Sequence, residues 1–134
     1  MKIQGKTVAL FAALTLTLSA CQESIEERAA REAREFTEKN CPSPIGDNMI
    51  IDSMTYESPT RTLHYYYRLV GFDDVKRLWQ NESEARRQLL HGLKNATAFK
   101  VYKDAGFNFA YTYYLEQNTQ EIVYDFTFAK DDYQ

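Results

Sequence analysis

Several kinds of chemistry lack their raw material in this sequence. Only five glycines are spread over the 134 residues, and no glycine-rich phosphate loop or Gly-x-Ser-x-Gly elbow is present. The two histidines, His64 and His91, stand far apart. Without a His-x-x-x-His, a Cys-x-x-Cys or a facial carboxylate set, a zinc or iron site is not expected. Asp73-Asp74 and Asp131-Asp132 lack the neighbouring ligands of a calcium loop and read as solvated turns. No cofactor, metal site or catalytic set is therefore expected. Basic charge is also scarce: sixteen Lys and Arg stand against nineteen Asp and Glu. That balance argues against a nucleic-acid partner, because phosphate binding needs clustered bases. It also argues against an electrostatic grip on anionic lipid. The longest uncharged apolar run, Thr7 to Leu18, spans only ~18 Å as a helix. A bilayer core of ~30 Å asks for ~20 residues.

That short run nevertheless has a recognisable setting. Lys2 and Lys6 precede it with no acid between them, and small residues follow it. A charged start, an apolar middle and a small-residue end describe a secretory signal peptide. The run closes on Leu18-Ser19-Ala20-Cys21, which resembles the lipobox of bacterial lipoproteins. The resemblance implies cleavage after residue 20, acylation of Cys21 with fatty chains such as palmitate, and membrane attachment through them. Two or more chains give stable anchoring, at about 0.8 kcal/mol per buried methylene. Gln22 stands where an inner-membrane retention signal of enterobacterial type has Asp, so the resemblance favours the outer membrane, periplasmic or surface face. With Cys21 acylated, only Cys41 is left, and no disulfide framework can form. Burial or an intermolecular bridge is expected of Cys41; a nucleophilic role would need a base that nothing nearby supplies.

The mature part reads as a helical stalk over 21–40 and a single α+β domain over 41–134. Ser24 is a helix N-cap with Glu27 three residues on, as in a capping box. Ile25, Ala29, Ala33 and Phe36 form a narrow apolar stripe that ends before Pro42. So alanine-rich a stripe is expected to dock little beyond Phe36. Residues 41–48 read as a loop. Strands are expected over 49–57 and 62–70, joined by Ser58-Pro59-Thr60-Arg61, and again over 107–115 and 120–128. Helices are expected between the pairs: a short piece from Asp73, a longer one opened by Asn81 or Ser83, and a third over 97–105 closed by Gly106. Residues 130–134 read as a polar tail. The resulting expectation is a four-stranded antiparallel sheet of two hairpins, with the central helices on one face. The order also resembles the ββ-αα-ββ pattern of small uncharacterised bacterial lipoproteins and periplasmic proteins. That resemblance carries no activity with it.

Ten tyrosines are the informative excess. Strand alternation places His64, Tyr66, Arg68, Thr112 and Tyr114 on the face away from the helices. An aromatic, hydrogen-bonding face of this kind suits a protein loop or a glycan. Asp52-Ser53-Met54 resembles the short O-glycosylation sequon of Bacteroidetes, which marks Ser53 as a candidate acceptor. The expected function is a non-enzymatic, lipid-anchored envelope module that binds an unknown envelope protein; the alternative is a carbohydrate-binding lipoprotein that uses the tyrosine face.

Overall fold

The structure, a computed structural model, describes residues 22–134. Cys21 and the signal segment lie outside the described residues. The chain runs α1 (Ile25–Asn40), β1 (Ser43–Ile45), β2 (Met49–Glu57), β3 (Thr62–Leu69), α2 (Phe72–Leu78), α3 (Glu82–Asn95), α4 (Lys100–Asp104), β4 (Asn108–Leu115), β5 (Asn118–Phe128) and α5 (Lys130–Tyr133). The strands form one sheet in the order β1-β2-β3-β4-β5.

Both expected hairpins are present, but the sheet is five-stranded and mixed. β3 and β4 run parallel, from Thr62 beside Asn108 to Leu69 beside Leu115. A parallel pair needs a crossover, and α2 to α4 provide it. Alternation could not reveal this, because a strand buried on one face has the same period in either direction. The fifth strand lies in the segment expected to be a loop. Three residues, Ser43 to Ile45, pair antiparallel with Ile51 to Met49. A strand this short, with Pro44 at its centre, makes a blunt sheet edge.

The helix starts follow local hydrogen bonding. Ser24 and Glu27 form the reciprocal capping box, and the Asn81 side chain accepts the Glu84 N–H at 2.9 Å. The short helix α2 begins on Gly71, not on an Asp73 cap; Gly71 has φ 99°, a conformation costly for any other residue. Gly106 closes the last crossover helix at φ 77°, as its position suggested.

The helices cover one face of the sheet. Leu63, Tyr65, Leu69, Phe109, Tyr111, Tyr113, Phe126 and Phe128 point into this core. The C-terminal segment belongs to it too. Instead of a tail, α5 places Tyr133 in the core, and its hydroxyl donates to the Phe107 carbonyl at 2.8 Å.

Helix α1 is docked along its length, not only through Phe36. Ala29 and Ala33 are 0 % and 1 % exposed. Their small side chains let the helix approach β2 closely. Beyond β1, the outer edge of β2 has lost its neighbouring strand. There the Thr37 hydroxyl accepts the Met54 N–H at 2.9 Å and donates to the Met54 carbonyl at 2.8 Å. Tyr102 from α4 donates to Glu32 at 2.5 Å and ties the helix to the crossover. The helix is thus part of the domain body and shields one sheet edge.

Candidate functional site

The face opposite the helices carries His64, Tyr66 and Arg68 from β3 beside Thr112 and Tyr114 from β4. Parallel register sets Tyr66 next to Thr112 and Arg68 next to Tyr114. β2 and β5 flank them, bringing Asp52, Ser53 and Glu57 on one side and Asp125 on the other. Asp125 pairs with Thr112. Ser53 pairs with Tyr66, next to the bulge at Asp52.

Two interaction groups organise the face. At one end, the Arg68 guanidinium holds Asp52 at 2.7 Å and reaches Glu116 at 3.6 Å. At the other end runs a chain of hydrogen bonds. Glu57 contacts His64 Nδ1, His64 Nε2 lies 2.6 Å from the Thr112 hydroxyl, and that hydroxyl donates to Asp125 at 3.0 Å. The Thr112 proton is committed to Asp125, so Nε2 must donate to Thr112. The Tyr66 hydroxyl also lies 3.1 Å from Nδ1, so two groups share that nitrogen.

The aromatic rings stand in a row. Tyr66 stacks on His64 with centroids 4.1 Å apart and lies against Tyr114 at 6.4 Å, nearly parallel in both cases. Faces are therefore turned toward each other, and ring edges are left toward solvent. The long side chains also cover the small ones. Thr112 and Ala110 are each 3 % exposed although no helix among the described residues lies over them. Burial, then the nearby Glu57 carboxylate, raises the Tyr66 hydroxyl above the ordinary tyrosine range.

Sequence alternation grouped five of these residues but missed Glu57, Asp125, Asp52 and Glu116. Asp125 was legible in principle, since it interrupts Tyr124 and Phe126 at strand spacing. The Asp52 ion pair was not, because it depends on the bulge that moves Asp52 out of simple alternation. A recess of about 260 Å³ opens between Glu57, His64 and Asp125.

The remaining candidates lie elsewhere. His91 is exposed on α3 beside Asn95. Cys41 is a free, half-buried thiol just after α1. Burial, with Asp52 adding to it, pushes that thiol up, the reverse of what activates a nucleophile. Among the described residues no group of three or more His, Cys, Asp or Glu side chains could hold a metal ion, and no helix is long and apolar enough to cross a membrane.

The fold has solved relatives. A protein from Pseudomonas aeruginosa described as secreted superposes with a TM-score of 0.66 at 14% identity, covering 84% of this chain and 100% of that one. The pilotin EpsS from the type 2 secretion system of Vibrio vulnificus superposes with a TM-score of 0.57 at 10% identity, covering 81% and 91%. At such identities the likeness is one of fold. No curated protein matches this chain. Residues 24–124 match the family model described as "Domain of unknown function (DUF8479)", and the chain belongs to that family.

Proposed function

We propose that this protein is a non-enzymatic accessory module of the bacterial envelope, tethered through acyl chains on Cys21, which binds an envelope protein through the open face of its sheet. The observation that carries the reading is the fixed row His64–Tyr66–Tyr114, flanked by ion-paired Arg68, on a face that no helix among the described residues covers. Side chains locked by their neighbours lose little freedom on binding, which favours recognition. The shared fold of a secreted protein and a secretion-system pilotin supports an envelope setting. A protein partner is favoured over a glycan because the tyrosine faces are occupied by each other. Edges and hydroxyls suit peptide groups better than the flat face of a sugar.

The test has two arms. Fatty-acid labelling should mark the wild type and not Cys21→Ala. A photo-crosslinking residue at Tyr114 should capture one defined envelope protein in intact cells, while the same residue at Asp73 on α2 should not. An unlabelled wild type overturns the anchor, and equal capture from both positions overturns the face.

A further inference from the structure

We infer that the open face docks a positively charged segment of its partner protein, with one lysine or arginine side chain seated in the recess between Glu57 and Asp125. The inference rests on the open-face reading above and names the chemistry of the partner.

The charge of the face is one-sided. Asp52, Glu57, Glu116 and Asp125 lie on or at the rim of it, against Arg68, with the His64 ring between Glu57 and Thr112. Arg68 is already committed to Asp52 and Glu116 at the far end. Among the described residues, no lysine or arginine forms an ion pair with Glu57 or Asp125. The nearest base in sequence, Arg61, is drawn away: it pairs with Glu26 at 3.0 Å, and its guanidinium lies 4.5 Å from the centre of the Phe107 ring. His64 satisfies one side of Glu57, and Thr112 one oxygen of Asp125. Both carboxylates are solvent-exposed and have acceptor capacity left.

The shape matches the charge. The recess of about 260 Å³ is lined by Glu57, Thr62, His64, Asn108, Asp125 and Thr127, with Ala110 among its walls. It is hollow because β3 to β5 carry small side chains here, whereas Tyr66 and Tyr114 fill the next rows. A long aliphatic stem could lie on Ala110 and the threonine methyls while its cationic head reaches the carboxylates. Complementary charge of this kind steers encounter and rejects partners of the wrong sign. Anionic lipid and nucleic acid are wrong-signed, and a neutral sugar would bring hydroxyl donors but no opposing charge.

The probe is an extended synthetic peptide of alternating lysine and valine, labelled for fluorescence anisotropy, with a glutamate–valine peptide as control. Both are titrated into the full chain in non-ionic detergent. The lysine peptide should bind, more weakly as salt rises, and the glutamate peptide should not. Glu57→Gln with Asp125→Asn should weaken lysine-peptide binding by roughly tenfold or more. Asp73→Asn with Asp74→Asn, the same formal charge change on α2, should leave it unaltered. Urea unfolding checks the fold of each variant, and the single change at exposed Asp125 serves if the double variant is destabilised. Equal binding by the Glu57/Asp125 variant, equal weakening by the Asp73/Asp74 variant, or preference for anionic vesicles over the peptide overturns the inference. If the peptide fails while Tyr114 still crosslinks its partner in cells, the basic anchor is wrong and the open face stands. If Tyr114 captures nothing specific, the face itself is wrong.

Discussion

Tyr65 and Tyr66 are neighbours on β3, yet they meet different physics. Tyr65 points under the helices, stacks on Tyr111 at 5.3 Å, and its hydroxyl is buried without a partner among the described residues. Tyr66 points the other way, stacks on His64, and its hydroxyl lies 3.1 Å from that ring. The same contrast runs along β4, between Tyr113 and Tyr114. One face uses tyrosine as bulk for a core, the other as a fixed polar surface. Residue type does not separate the roles; strand parity does.

The sharpest test of this contrast is alkaline titration. Burial, then neighbouring tyrosines, raises Tyr65, Tyr111 and Tyr113, and burial, then Cys41, pushes Tyr67 up to about 12. In the unfolded chain these hydroxyls ionise near the ordinary value of 10. Their stabilising contribution is therefore complete below that pH and is lost as pH rises through it. Four such groups give a loss of roughly 5 kcal/mol per pH unit once the unfolded chain is ionised. Against a total stability of about 5–15 kcal/mol, cooperative unfolding is expected between pH 10 and 12. Tyrosinate absorbance and circular dichroism should change together. Stepwise tyrosinate formation in a folded protein would erase the distinction between the faces.

The next effect is a cavity. Phe109→Ala on the covered face, where Phe109 is 0 % exposed, should cost about 3–5 kcal/mol in urea unfolding. Tyr114→Ala on the open face of the same strand should cost far less. Similar losses would mean that the open face is also structural.

The sheet edge comes third. Thr37→Val keeps the shape of the side chain but removes the hydroxyl that serves both Met54 backbone groups. A loss of about 1–3 kcal/mol is expected, with self-association rising as the edge is unmasked. An unchanged urea midpoint would deny α1 its role as edge cover.

The smallest change is expected at the Arg68–Asp52 pair, whose side chains are partly covered. Arg68→Ala should shift stability by less than about 1 kcal/mol. Its effect belongs in partner capture through Tyr114, which should fall. A large stability loss without loss of capture would reassign the pair to the fold.

Local signals read well where they act over a few residues. Ser24 with Glu27, Asn81, Gly106 and the alternations of β2 to β5 all report bonds or steric limits inside one segment. The β1 strand was hidden because three residues around Pro44 have no alternation to show. The docking of α1 was hidden because alanine looks like an empty stripe until a strand edge is brought against it. Tyr133 was hidden in a polar tail because one aromatic residue defines no period.

Period and capping thus determined by themselves that α1, α3 and β2 to β5 are helix and strand, and which side chains of β3 share a face with which of β4. Only the tertiary structure decided that β3 and β4 run parallel, that α1 closes the edge of β2, and that Glu57 and Asp125 flank one recess. The physical reason is range. Alternation and caps are written by neighbours in the chain, whereas the direction of a strand pair and the meeting of two carboxylates depend on where a crossover of nearly forty residues returns the chain.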